Sequence, residues 1–268
     1  MPKIKIPLLP VLDGFEDGDI QIRSFGQFNT KTHCHQKTQL IAAEKGTLYL
    51  YSEKGSYCIP AHYYAYIAAS FEHKFISRSQ RVEIKTIFLE LPQEITCNGK
   101  TLDIAIFPPS SLLDNFLSFG EQHWPGHQNP DLKAASLQAL KKMLPFLLTK
   151  PIYLYTHPPK SEALLKAVEF ITGALGENLT VPSISKAANI PERTLSRLFK
   201  QETGMTIFQF IKTSRMQKAL ELMEDPSMNI SEIVYHIGYE STATFSNLFK
   251  QLVGISPQKY RQRFLFLA

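Results

Sequence analysis

The chain has 268 residues, a length that suggests about two domains. Its residues are 44% hydrophobic and 20% charged, which excludes a disordered polyelectrolyte and lets each half bury a core. The net charge of +5 is only mildly basic, and residues 161–268 hold 12 Lys+Arg against 10 Asp+Glu, so a nucleic-acid partner has to be argued from where the cations sit.

The opening Met1-Pro2-Lys3-Ile4-Lys5-Ile6-Pro7-Leu8-Leu9-Pro10 is too proline-broken for the apolar core of a signal peptide. No uninterrupted apolar run approaches the roughly 18 residues of a membrane span, so no membrane partner is expected. Cys34, Cys58 and Cys97 are odd in number and widely spaced, which fits a reducing, cytoplasmic setting better than a disulfide scaffold.

From about residue 20 to 91 the pattern predicts short strands. Residues 39–43 and 47–51 flank the turn Glu44-Lys45-Gly46, and residues 56–59, 63–69 and 82–91 continue the series. β-branched and aromatic runs at this spacing argue for an all-β sandwich or barrel. Within it lies Gly26-x6-His33-x-His35-x3-Gln39-x6-Gly46. This resembles the first motif of the cupin barrel, with Gln39 in place of its glutamate. Ala68-Ala69-Ser70-Phe71-Glu72-His73 keeps only the histidine of the second cupin motif. In metal-dependent cupins three histidines and the glutamate bind a divalent metal. The resemblance carries that role to His33, His35 and His73. Alternation along a strand would turn His33 and His35 to one side, here the barrel interior. Imidazole suits zinc, copper, iron and nickel, but glutamine brings no charge to neutralise a cation. Three readings stay open: a small-effector pocket of His33, His35, Gln39 and His73, a divalent metal on the three histidines, or no ligand. No cofactor is expected.

Residues 110–120 predict a short helix ending at Gly120, with Leu112, Leu113, Phe116 and Phe119 on one face. A turn follows at residues 121–126. A second helix is expected from Asp131, its N-cap, to Leu148, with Leu132, Ala135, Ser136, Ala139, Leu140, Met143 and Leu147 on its apolar face and Pro145 kinking or ending it. These faces either pack on the barrel or form the seam of a homodimer. Pro151, Pro158 and Pro159 make residues 149–160 a semi-rigid spacer. The expected division is therefore 1–150 for sensing and dimerisation, 151–160 for the linker, and 161–268 for a second domain.

The second half reads as helices only. Residues 161–171 are amphipathic, with Ser161 as N-cap and Gly173 and Gly176 at the exit. Residues 181–188 form a short helix, Asn189-Ile190 a turn, and a further helix starts at Pro191, the layout of a helix-turn-helix. A long helix from Thr206 to Met223 follows, with an expected apolar stripe of Phe208, Ile211, Met216, Ala219, Leu220 and Met223. Residues 229–237 make another short helix, Gly238-Tyr239 a turn, and a helix begins near Ser241. Pro257 opens the last helix, to Leu265.

Two stretches repeat. Ser196-Arg197-Leu198-Phe199-Lys200-Gln201-Glu202-Thr203-Gly204-Met205-Thr206 aligns without a gap on Ser246-Asn247-Leu248-Phe249-Lys250-Gln251-Leu252-Val253-Gly254-Ile255-Ser256. Ser, Leu, Phe, Lys, Gln and Gly recur in register. Two copies are too few for a solenoid. They present two equivalent helices, each ended by glycine, to a periodic partner.

The helices from about Ser161 to Phe264 resemble the DNA-binding domain of the AraC/XylS family of bacterial transcription regulators. The match is specific at Ile233, Gly238-Tyr239, Phe245-Ser246, Leu248-Phe249-Lys250 and Gly254 through Arg261, and Arg215 and Ala219 fit the linker helix. Pro191 and Glu192 depart from the family pattern. A cupin-like domain in front of this pair is also the family's order. The resemblance implies double-stranded DNA as partner, RNA polymerase as a second one, and activation rather than repression. The fold class expected is α+β in two domains: a cupin-like barrel with flanking helices, then an all-α domain with two helix-turn-helix motifs.

In each repeat helix Leu195, Leu198 and Phe199, or Phe245, Leu248 and Phe249, form the core face. Arg193, Ser196, Arg197 and Lys200 lie opposite in the first copy, with cations at i, i+4 and i+7. Arginine matches the O6/N7 edge of guanine. The second copy offers Thr242, Ala243, Ser246 and Asn247. Asparagine pairs with adenine, and alanine meets a thymine methyl. Base contacts are expected from these seven residues, Lys200 apart. Phosphate contacts are expected from Lys200, Lys250, Lys259 and Arg261, with Arg263 a further candidate. Two other classes remain: a metal-dependent cupin enzyme with a helical appendage, and a regulator run by a protein partner with an empty barrel.

Overall fold

The computed structural model describes residues 16–97, 99–124 and 129–266, and the side chains of residues 264–266 are left aside. The opening segment 1–10 and the Pro125-Gly126 part of the expected turn lie outside the described residues. The chain divides into two compact units, Met1–Leu50 with Ile59–Tyr153, and Tyr51–Cys58 with Leu154–Ala268. The class is α+β, a sheet-rich region followed by helices.

The first sheet runs in the order β1 (Asp19–Phe25), β8 (Val82–Leu89), β3 (Thr38–Lys45), β6 (Tyr64–Ile67) and β11 (Ile104–Phe107), all antiparallel. The second has the order β12 (Tyr155–Thr156), β5 (Gly55–Ile59), β4 (Leu48–Ser52), β7 (Lys74–Ser77) and β2 (Phe28–Asn29). A two-stranded ribbon of β9 (Thr96–Cys97) and β10 (Lys100–Thr101) precedes β11. The strand region therefore reaches past residue 91, because Ile104–Phe107 pairs with β6. The spacer also departs from expectation: it holds a strand, since Tyr155 and Thr156 pair with Tyr57 and Ser56.

Two helices cover the outer face of the first sheet. α1 is Ser111–His123, started by Ser110, whose hydroxyl accepts from Leu113 N. It runs through Gly120 rather than ending there. A Cβ at that position would lie 2.7 Å from Ile20 and 2.8 Å from Trp124, so the glycine provides close packing in mid-helix. α2 is Pro130–Leu147, with Asn129 and not Asp131 at the N-cap position, where no side chain makes a capping hydrogen bond, and Pro145 lies inside its last turn. Its buried residues are Leu137, Leu140 and Leu144, a stripe offset from the expected one. Leu113, Leu117 and that stripe pack on Leu40, Tyr64, Tyr66, Ile87 and Phe107. Leu112, Phe119 and Leu132 stay exposed, contrary to expectation, because those positions turn away from the sheet.

The helical unit follows the predicted order. α3 (Glu162–Gly173) leads into α4 (Val181–Ala188) and α5 (Glu192–Thr203), α6 (Ile207–Leu222) follows, then α7 (Ile230–His236), α8 (Thr242–Val253) and α9 (Pro257–Phe266). α4, α6 and α7 each begin with a reciprocal capping box, from Thr180, Thr206 and Asn229. Such a box satisfies two otherwise orphaned N–H groups at once. α5 and α8 both end on a left-handed glycine, Gly204 and Gly254. On α6 Phe208 is 55% exposed, and Ile207 and Phe210 are buried in its place, so the expected stripe is rotated at its first turn.

Candidate nucleic-acid interface

The repeat explains itself once burial is set against sequence. Leu195 and Phe199 on α5 and Phe245 and Phe249 on α8 are fully buried. The edge-to-face pairs Phe199–Phe210 and Phe249–Tyr260, with centroids 5.4 and 5.7 Å apart, seat each helix on its neighbour. Of the repeat's shared letters, Phe199 and Phe249 are buried and Leu198 and Leu248 half-buried, so these build the scaffold, while the shared Lys200 and Lys250 stay exposed. Of the letters that differ, Thr203 and Val253 are buried and Arg197 and Asn247 exposed, and just before the repeat Arg193 on α5 and Thr242 and Ala243 on α8 are exposed as well. Ser196 is exposed, whereas its counterpart Ser246 is half-buried.

α5 starts at Pro191 with no side-chain cap, whereas Ser241 caps α8 through Thr244 N. Arg197 donates to Gln201 Oε1 at 3.2 Å along the exposed face. Glu202, where the second copy has Leu252, accepts the backbone N–H groups of Lys160 and Ser161 at 2.8 and 3.0 Å. Ser161 thus sits at the N-cap of α3, but the capping group is Glu202. These donors hold the Glu202 carboxyl below its ordinary value.

Lys200, Lys250, Lys259 and Arg263 are exposed. Arg261 is half-buried and already has protein acceptors. Its Nη2 donates to the carbonyls of Asp225 and Pro226, at 3.1 and 3.2 Å, and so fastens α9 to the loop after α6. The sequence showed its charge but not these acceptors, 36 and 35 residues away.

In the other unit a narrow cavity of about 40 Å³ lies between the sheets, lined by Arg23, Phe25, Phe28, His33, His35, Gln39, Phe75, Thr86 and Phe88 among others. His33 lies on no strand. It bridges His73 through paired backbone hydrogen bonds at 2.9 Å, and the two rings lie 4.5 Å apart. The His35 ring is 5.2 Å from that of His73. His73 is wholly buried and does not line the cavity. His33, His35 and His73 direct Nδ1 at the carbonyls of Lys31, Lys37 and Phe71, at 2.9, 2.5 and 2.8 Å. His35 Nε2 faces Gln39 Oε1 at 3.1 Å, and Gln39 Nε2 donates to Thr86 Oγ1. His73 Nε2 has no hydrogen-bond partner among the described residues. Burial lowers the pKa of His35 and pushes that of His73 down to about 3.

Imidazoles anchored through Nδ1–H to carbonyls are oriented as metal ligands usually are. Here His35 Nε2 faces the uncharged amide of Gln39, and among the described residues no three His, Cys, Asp or Glu groups are arranged to hold a metal ion. The reading of a divalent metal on His33, His35 and His73, one of the three left open, gains no support from this arrangement. Sequence reasoning also missed Arg23. It is the one charged side chain lining the cavity, is half-buried, and makes no ion pair or hydrogen bond among the described residues.

Residues 184–263 match the family model described as a helix-turn-helix domain. The HTH-type transcriptional activator RhaR of Cronobacter sakazakii is 36% identical over 117 residues, 42% of this chain and 40% of that protein. The chain thus spans about 40% of the length of the curated relatives it matches first. The probable transcriptional regulator LumQ of Photobacterium leiognathi is 22% identical over 231 residues, covering 85% of this chain and 91% of that one. Among solved structures, the C-terminal domain of AraT, a response regulator from Geobacillus stearothermophilus, is 33% identical over 38% of this chain and 85% of that chain, with a TM-score of 0.36. No helix among the described residues is long and apolar enough to cross a membrane.

Proposed function

We propose, from the match of residues 184–263 to a helix-turn-helix domain model and the resemblance to the AraC/XylS family, that this chain is a sequence-specific DNA-binding transcription regulator reading two successive major grooves with α5 and α8. The observation that carries this reading is that the equivalent helices α5 and α8 each bury an apolar face and expose unequal residues opposite it, Arg193 and Arg197 against Ala243 and Asn247. Two such helices on one chain suit grooves about one turn, roughly 10 bp, apart. Arg193 and Arg197 read guanine. Asn247 and Ala243 read an A·T-leaning block. Activation is supported by the likeness to RhaR, which is named as a transcriptional activator, and RNA polymerase as protein partner is what the family resemblance implies.

A small effector acting on the barrel is part of the proposal. The cavity is apolar except for a few groups, and Arg23 within it has no ion pair among the described residues. By the measure on which one water needs about 10–15 Å³, its space of about 40 Å³ suits a compact acid of a few heavy atoms. A homodimer through α1 and α2 is supported by Phe146, which is 82% exposed, and by exposed Leu112. A cupin enzyme is disfavoured, because Gln39 replaces the carboxylate and engages His35.

Genome-wide mapping of DNA bound by the full-length protein tests the reading. Bound fragments should share two short blocks about 10 bp apart, one of them containing guanine. Uniform, sequence-independent occupancy would refute it.

A further inference from the structure

We infer that Arg215 is a positioning residue, whose guanidinium clasps the first helix-turn-helix to the second and sets the separation at which α5 and α8 meet their two half-sites. The inference rests on the DNA-reading function proposed above.

Arg215 lies on α6, the helix between the two motifs. Its Nε donates to Leu175 O at 2.9 Å and its Nη2 to Glu177 O at 2.9 Å. Both carbonyls belong to the loop that leads from α3 into α4. Its Nη1 donates to Gly238 O at 3.0 Å, in the turn between α7 and α8. Three of the five guanidinium donors therefore hold carbonyls of the loop that enters the first motif and of the turn inside the second, in a fixed planar fork. The Tyr239 ring closes over the guanidinium carbon at 5.4 Å from its centroid.

The backbones at this junction approach too closely for side chains. Gly238 has φ +82, and a Cβ there would lie 2.6 Å from Arg215 Nη2 and 2.7 Å from Leu175 O. A Cβ at Gly176 would lie 2.6 Å from the carbonyl of His236, at the end of α7. Arg215 has no carboxylate partner among the described residues, so its charge is spent on carbonyl geometry. The core of α6 does not depend on it, since Met216, Ala219 and Leu220 are fully buried on their own account. What the clasp fixes is the position of one motif against the other.

That position matters because two readers on one frame bind as a unit. Once one half-site is engaged, the second contact is intramolecular. Its strength follows the match between frame and spacing and can raise overall affinity by about 10²–10⁴. A rigid frame gives a sharp preference for one spacing, and a loose frame a blunt one.

The test uses full-length protein and the duplex most occupied in the genome-wide mapping. Affinity is measured on that duplex, on versions with one or two base pairs inserted between the blocks, and on a single block. The wild-type protein should lose about tenfold or more on insertion, a fraction of the tethering gain. Arg215→Met should keep its single-block affinity while the insertion loss shrinks to about threefold or less, with Arg215→Lys intermediate. Gly176→Ala, which wedges the junction without touching the guanidinium, should blunt the spacing preference likewise and carries the test if Arg215→Met does not fold. A folded variant that keeps the wild-type spacing profile, even at uniformly lower affinity, overturns the inference while leaving the DNA reading intact. A wild-type protein that prefers no duplex overturns the DNA reading and the clasp with it.

Discussion

Arg197 and Asn247 hold equivalent places in the two repeats, and both are exposed. Arginine offers guanine a bidentate pair worth about 1–3 kcal/mol of discrimination, and asparagine does the same for adenine. Arg197→Ala should therefore relax preference at a guanine of the first block by about that amount, while Asn247→Ala relaxes only the second block. Competition with base-substituted duplexes measures both. Unchanged preference in Arg197→Ala together with its abolition in Asn247→Ala would reverse the assignment. His73 gives a second prediction at this scale. Its pKa is about 3 in the folded chain because burial penalises the imidazolium, against an ordinary value of 6.5. The unfolded chain therefore takes up the proton first as pH falls. The stabilisation is complete above pH 6.5 and is lost progressively as pH drops from there toward 3. Between these limits His73 alone should remove about 1.4 kcal/mol per pH unit. Thermal melts from pH 7 to 5 should slope downward, and His73→Gln should flatten the slope whatever its own stability.

Among the elements, caps decided what could be read in advance. α4, α5, α7 and α8 begin and end within a residue or so of expectation because Thr180, Asn189, Gly204, Asn229, Ser241 and Gly254 punctuate them. Thr206 hydroxyl accepts from Gln209 N at 3.2 Å while Gln209 Oε1 accepts from Thr206 N at 2.8 Å. Thr206→Ala should cost about 1 kcal/mol of stability in a denaturant melt, and a change near zero would show that the box contributes nothing. Short strands were less legible. β7, β11 and β12 have four, four and two residues, and pairing partners rather than local pattern fix them. On α6, neighbours on both sides defeated a one-face reading, and Phe208 fell on the exposed side. Of the site, the readers were visible because helical spacing separates faces. Arg23, Arg215 and Arg261 were not, since a cation's role depends on whether acceptors from distant segments reach it.

For the whole molecule, association with a duplex is governed by phosphates as much as by bases. Log affinity falls against log salt by about 0.9 per neutralised phosphate, so Lys200, Lys250 and Lys259 together imply a slope of about −2.7 from phosphate contacts. Lys200→Ala should make the slope shallower by about 0.9 at every sequence tested. Arg261→Ala should leave the slope alone and lower the melting temperature instead, because its guanidinium holds Asp225 and Pro226. The split between the buried and exposed faces of α5 and α8 has a consequence on another timescale. Reader residues such as Arg193 and Ala243 contact no core, so exchanging them alters which operator is recognised with little penalty to folding. Each half of the operator can therefore drift independently of the other, and a descendant chain can acquire new target genes while inheriting the same frame.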